Sequence, residues 1–266
     1  MDKVKTHTDG LIGVITINDP ATLNAAGMDV MDGLKTAFEA FAREDSGVRA
    51  VVLTGEGRGF CSGANLTAGG GAAAGASQAP GQNDAGAALE SVYNPFITSL
   101  RDYPHAIVTA VNGAAAGVGC SLALMGDLIV ASESAYFLQA FRRIGLVPDG
   151  GSTYILPRHI GRARAMEMAL LGERLLARQA LEWGLINRCV PDDQLMPTAL
   201  ELARALATGP KAIGMIRKLI WDSLDNDFAA QLHEERVVQR DAGRTEDFRE
   251  GVAAFIQKRP AQFSGR

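Results

Sequence analysis

Two short apolar runs, each followed at once by a glycine-rich turn, constrain this chain more than any other feature. Arg49 to Thr54 reads RAVVLT and runs into GEGRGFCSGANL, Gly55 to Leu66. Ala106 to Val111 reads AIVTAV and runs into NGAAAGVGCSLALM, Asn112 to Met125. Runs this short, apolar and β-branched read as strands buried on both faces, the habit of parallel sheets. Leu128 to Ala131 is a third of the kind. Leu11 to Ile17 is another strand, bounded by Gly10 and by Asn18-Asp19-Pro20. Met28 to Arg43 instead has helical spacing, with Met28, Met31, Leu34, Ala37, Phe38 and Phe41 on one face. Strand–helix–strand alternation predicts an α/β fold, whose ligands gather at the carboxyl ends of the strands.

The pattern changes after about Pro157. Arg162 to Leu171 and Ala177 to Trp183 read as helices, the second ending at Gly184. Gln194 to Ala207, Lys211 to Leu224, Phe228 to Asp241 and Asp247 to Phe255 complete a helical series. The expected organisation is an α/β core over 1–195 and a helical region over 196–266. One stretch stands apart: Ala68 to Ala88 is rich in Ala and Gly and lacks periodicity. It reads either as a lid over a site or as a plain surface insertion.

Composition narrows the function. Of 266 residues, 30 are Gly, against an average of ~7%. With 26 basic and 30 acidic residues the net charge is -4, so no basic stripe suits nucleic acid. The three cysteines, Cys61, Cys120 and Cys189, match no metal or disulfide pattern, and a reducing cytosol is the default. No run approaches the ~18 apolar residues of a membrane span, and Met1 to Thr8 has no apolar leader. His7, His105, His159 and His233 are scattered, and no metal site is expected.

Each glycine-rich turn can aim backbone amides into a cleft. The N–H near Ala64 is one candidate, and the start of the helix after Gly117 is another. Close strand and helix packing explains the same glycines. A dinucleotide fingerprint at Gly117-Val118-Gly119 fails, because Leu122 stands at its third glycine and Gln139 where its acid would be. Ser62 lies outside a hydrolase elbow, and Cys61 reads as a buried hydrophobe. Leu146 to Ser152 reads LVPDGGS. Its Asp149 is either a turn former or, in an apolar cleft, a carboxylate whose raised pKa suits proton transfer.

In this order the segments resemble the enoyl-CoA hydratase/isomerase, or crotonase, superfamily over nearly the whole chain. The pairing of GRGFCSGANL with AVNGAAAGVGC at about 50 residues' separation carries the likeness, with Asn24 upstream and GVAAFIQKRPAQF, Gly251 to Phe263, at the tail. The resemblance implies a ββα-spiral core with a helical C-terminal trimerisation region. It implies an acyl-CoA thioester substrate, no prosthetic group, and an enolate held by the amides of Ala64 and Val118. Coenzyme A is then held near Thr22, Leu23, Asn24, Ser62 and Ala64, with Phe255 and Lys258 from a neighbouring copy of a trimer or dimer of trimers. By its local charge pattern alone, Lys258 is a solvated surface group.

Hydratases of the family carry two glutamates, and the matching positions here are Ser121 and Phe141. A branch lacking both uses the aspartate of a Pro-Asp-x-Gly-Gly turn. The strings VYNPF, AFRRIGLVPDGGST, LPRHIGRARAM and ALLG are similar to that branch, the ring-1,2-epoxyphenylacetyl-CoA isomerases. The resemblance makes Asp149 the base and implies an isomerase of phenylacetate or of fatty or aromatic acid degradation. The rivals are a hydratase with a non-standard residue set and a catalytically silent CoA-binding member. Walls of the acyl pocket are expected from Ala68 to Ala88 and Val92 to Leu100.

Overall fold

Residues 12, 14, 50, 52, 108, 110 and 130 alternate with 15, 17, 51, 53, 107, 111 and 129, and the two sets bury on opposite faces of one sheet. That period of two is what a sandwiched strand requires. The computed structural model describes residues 2–65 and 84–266. Six strands form the main sheet: β1 (Val4–Asp9), β2 (Ile12–Ile17), β3 (Ala50–Gly55), β5 (Ala106–Val111), β7 (Leu128–Ser132) and β10 (Arg188–Val190), in that spatial order. Only β1 runs antiparallel to its neighbour. A second sheet is made of β4 (Gly59–Cys61), β6 (Ala114–Ala116), β8 (Tyr136–Leu138) and β9 (Arg174–Leu176).

The chain deals one strand to each sheet in turn. After β3 comes β4; after β5 comes β6 and then α3 (Val118–Leu124); after β7 comes β8 and then α4 (Ser152–Leu171). The earlier helices are α1 (Met28–Ala42) and α2 (Asn94–Arg101), the latter preceded by a π-helical turn at Leu89–Tyr93. This is the ββα spiral expected from the resemblance. The anticipated β2, β3, β5 and β7 are present, as is α1.

The sequence reading missed β1, β4, β6, β8, β9 and β10. β1 is exposed and polar, and the others are only three residues long. The helix expected from Arg162 to Leu171 is present; it follows a break at Gly161, where φ is 77°, and an unanticipated helical stretch from Ser152 precedes it.

The later helices are α5 (Ala177–Glu182), α6 (Leu195–Ala207), α7 (Ala212–Asp222), α8 (Phe228–Ala242) and α9 (Glu246–Gln257). α6 covers one face of the main sheet. Leu195, Ala199, Ala203 and Ala207 lie against Val14, Val52 and Val108, and the small side chains let the helix approach closely. α8 buries no residue. Beyond it the chain is tied down by Asp247, which accepts from the amides of Lys211, Ser264 and Gly265. Burial works against its charge, but those amides outweigh it and hold the carboxyl below its usual range. Among the described residues no helix is long and apolar enough to cross a membrane.

Candidate active site

The carboxyl ends of β3 and β5 feed two turns that touch. β4 and β6 pair in parallel, so residues 59–64 run beside 114–118. Gly63 has φ +105°, and a Cβ there would sit 2.9 Å from the Ala116 carbonyl oxygen. A Cβ on Gly119 would overlap the Cys61 carbonyl. Only hydrogen fits at 119, which explains why this helix opens on small residues.

Each turn leaves one amide over. Among the described residues, neither the Ala64 N–H nor the Val118 N–H has a hydrogen-bond acceptor. Val118 is the first residue of α3, where an orphan amide is expected. Two such donors on contacting turns are equipped to stabilise one developing oxyanion.

The first turn is braced from upstream. Asn24 is fully buried with φ 61°. Its Nδ2 donates to the carbonyls of Glu56 (2.9 Å) and Gly59 (2.6 Å), and its Oδ1 accepts from the Asp19 amide at 2.8 Å. The Ser62 amide donates to the Leu23 carbonyl at 3.0 Å, and its hydroxyl donates to the Thr22 carbonyl at 2.8 Å. Thr22, Leu23, Asn24 and Ser62 therefore brace one unit, and Ala64 joins the upstream segment separately, through an isolated bridge to Ala26. The Asn24 side chain is fully engaged in holding the fold.

Asp149 enters from the third segment, just before α4. Its main-chain carbonyl accepts from the Ser152 amide (3.0 Å), the Ser152 hydroxyl (2.9 Å) and the Ser121 hydroxyl (3.0 Å). Gln139 Nε2 donates to Ser152 Oγ at 3.2 Å and extends the network. A Cβ on the next residue, Gly150, would lie 2.7 Å from Ser121 Cβ and 3.5 Å from Val118 Cγ2. The backbone of Asp149 is thus pinned against the helix that carries the Val118 amide. Its carboxylate is not pinned: Oδ1 is buried with no hydrogen-bond partner among the described residues. Burial pushes this carboxyl up to about 6.

The two positions matched to hydratase glutamates hold no carboxylate. Ser121 is fully buried inside the Asp149 network, and the Phe141 ring packs near Gly117. Cys61 is also fully buried, and burial pushes its thiol up to about 11, which suits packing and not nucleophilic attack.

Phe255 and Lys258 are not brought to this cleft. Phe255 is 84% exposed, at the end of α9. The tail that follows it docks on Arg49, which donates to the carbonyls of Gly209 and Phe263. Arg49 precedes β3, so the tail sits at the amino edge of the main sheet while the cleft lies at the carboxyl edge. Residues 68–83 of the expected lid lie outside the described residues. The sequence reading missed the Ser121–Ser152–Gln139 network, because polar residues from three segments give no local signal. It placed Tyr93 only in the expected pocket wall and gave no role to its hydroxyl, which donates to the Ala26 carbonyl at 2.6 Å.

The site joins an α/β spiral, an orphan amide on each of two contacting turns, and a half-buried carboxylate whose backbone is pinned to the helix of the second turn. The enoyl-CoA hydratase/isomerase family profile matches residues 7–266, and this chain belongs to that family. The 1,2-epoxyphenylacetyl-CoA isomerase of Escherichia coli (strain K12) is 43% identical over 100% of both chains. A Rhodobacter capsulatus protein named "Probable enoyl-CoA hydratase" is 42% identical over 96% of this chain and 95% of its own. The crystal structure of an enoyl-CoA hydratase from Polaromonas sp. JS666 superposes with a TM-score of 0.88 at 33% identity, covering 98% of this chain and 99% of that one. The fold is therefore the crotonase fold.

Proposed function

We propose that the protein isomerises an acyl-CoA thioester with Asp149 as its base. The observation that carries this reading is the buried Oδ1 of Asp149, unpartnered among the described residues, on a residue whose main-chain carbonyl accepts three hydrogen bonds. Asp149 removes a proton from the carbon next to the thioester carbonyl. The electron pair moves onto the thioester oxygen, which the Ala64 and Val118 amides hold. The same carboxyl then returns the proton two carbons away, and the double bond shifts. Rearrangement of an epoxide through the same enolate is the second reaction this arrangement suits. The name of the 43% identical relative favours an epoxide on a phenylacetyl group, and hence phenylacetate breakdown.

Coenzyme A is held in this reading by the main chain of Thr22, Leu23 and Asn24, by Ser62 and by Ala64. Phe255 and Lys258 come from a neighbouring copy in a trimer or dimer of trimers. The exposed apolar side chains of Phe248, Val252, Phe255 and Ile256 on α9 support such an assembly, as does the docking of the tail at the far edge of the sheet. No prosthetic group takes part in these steps.

The 42% identical relative named as a hydratase supports a second reading, addition of water. A panel of acyl-CoA thioesters in heavy water, read by mass, separates the two. Isomerase chemistry gives deuterium uptake without the mass of water. Net addition of water to crotonoyl-CoA, with no exchange into unreacted substrate, would overturn the isomerase reading.

A further inference from the structure

The Gly63–Ala64 peptide is a rigid plane, so the carbonyl of Gly63 and the N–H of Ala64 cannot turn independently. Whatever fixes that carbonyl also aims the amide. The carbonyl accepts from the Ala26 amide at 2.7 Å, within an isolated bridge between Ala26 and Ala64. Ala26 is in turn held from its other side by the Tyr93 hydroxyl, which is buried and donates to the Ala26 carbonyl at 2.6 Å. The chain of contacts runs from a side-chain hydroxyl to one orphan amide in two bonds.

The opposite donor needs no such help. The Val118 amide shares its plane with the Gly117 carbonyl, which accepts from Cys120 (2.9 Å) and Ser121 (3.2 Å) as α3 begins. A helix fixes that plane by its own ladder. Ala64 lies outside any helix and joins Ala26 through an isolated bridge, and Tyr93 clasps Ala26.

The placement of Tyr93 has a cause in the sequence. Pro95 lacks an N–H, so it cannot donate to the Ser91 carbonyl as an α-helix requires. The chain widens there: the Asn94 amide reaches Leu89, five residues back, and Tyr93 closes this π-helical turn. Such turns recur at functional sites. The only hydrogen bond of the Tyr93 hydroxyl among the described residues is to Ala26, so it touches no proton in transit.

We propose that Tyr93 is a positioning residue for enolate stabilisation, its hydroxyl setting the direction of the Ala64 amide through Ala26. This rests on the reading of Ala64 as an enolate donor. Tyr93→Phe keeps the ring and removes only the hydroxyl. The probe is phenylacetyl-CoA carrying carbon-13 at its thioester carbonyl. Infrared spectroscopy compares the carbonyl stretch free, bound to the wild type and bound to the variant. Heavy-water exchange of its α-hydrogens gives kcat and KM.

The wild type is expected to lower the stretch relative to free ligand, and Tyr93→Phe to lower it less. Exchange kcat should fall roughly five- to twentyfold, a fraction of the ~10²–10³ that loss of a whole donor costs, with KM within about twofold. The acid limb of the pH profile should stay in place, because the hydroxyl does not bond Asp149. A merely structural role would reduce the amplitude of the bound signal through unfolding without moving its frequency. A variant stretch and kcat equal to those of the wild type would overturn the assignment to Tyr93 while leaving the enolate reading intact. A wild-type stretch equal to that of free ligand would overturn the enolate reading, and this proposal with it.

Discussion

Asp149→Asn is expected to abolish nearly all turnover and at the same time to stabilise the protein. Removing a positioned general base costs about 10²–10⁴ in rate. Activity of the wild type should rise with pH up to about 6, where the carboxylate becomes the dominant form, and then level off. The stability change has the opposite sign. Burial raises this carboxyl above its ordinary 3.8, so the fold disfavours the ionised form the reaction needs. The contribution is fully present below about pH 4 and is lost as pH rises through about 6. A rise of that size corresponds to about 3 kcal/mol for an enclosed group. Partial solvent access lowers the expected gain of the Asn variant to about 1–2 kcal/mol. That is roughly 2–6 °C in Tm for a chain of this size. Thermal melts of both proteins at pH 4 and pH 8 check it. The gap should be near zero at pH 4 and full at pH 8. Equal gaps at both values, or an Asn variant with wild-type turnover, would falsify the role given to Asp149.

The second large effect concerns Arg217 and bears on the fold alone. Its guanidinium is almost fully buried under the amino ends of β5 and β7. Nε donates to Asp127 Oδ2 at 2.7 Å; Nη1 donates to the carbonyls of Arg101 (2.6 Å) and Tyr103 (2.9 Å); Nη2 donates to that of Leu100 (2.6 Å). Leu100 and Arg101 end α2, so Arg217 caps orphan helix carbonyls and neutralises a carboxylate at once. Arg217→Met leaves Asp127, among the described residues, with the Ile107 amide and the Trp221 indole as its side-chain partners. Breaking a buried pair from one side costs about 3–5 kcal/mol. Arg217→Lys should lose nearly as much, because an ammonium cannot reach four acceptors spread over a planar fork. Urea unfolding at constant m measures both. A loss under about 1 kcal/mol for either variant would mean the buried fork contributes little.

Legibility of the chain followed the range of the interactions. β2, β3, β5 and β7 were readable because burial on both faces writes itself as an unbroken apolar run. The C-terminal helices were readable from spacing. Ala114–Ala116 was not readable as a strand, since three alanines have no β preference and pair only because Gly59–Cys61 arrives beside them. The start of α4 at Ser152 was hidden by Pro157 and Gly161, which punctuate a local reading but are tolerated here by a kink. At the site, the glycine turns announced free amides, yet local sequence left Asp149 open between turn former and base. The feature local sequence does not show is that Ser121, 28 residues upstream, joins the nearby Ser152 in bonding its carbonyl. Tyr93 stood out only as part of the VYNPF string and the expected pocket wall; its bond to Ala26, 67 residues away, has no local signal.

The two edges of the main sheet carry different burdens. Arg49, Tyr103 and Asp127 stand before the amino ends of β3, β5 and β7 and bind the C-terminal region; the glycine turns and Asp149 lie at the other end. Strands of six residues hold those edges roughly 17–20 Å apart, well beyond the range at which substitutions usually couple. Free energies of change at one edge should then simply add to those at the other, within about 0.5 kcal/mol in a double-mutant cycle of Asp149→Asn with Arg217→Met. A larger coupling would mean the sheet transmits strain along its strands. Additivity would leave drift in robustness at one margin free of drift in chemistry at the other, so that a lineage can trade one without spending the other.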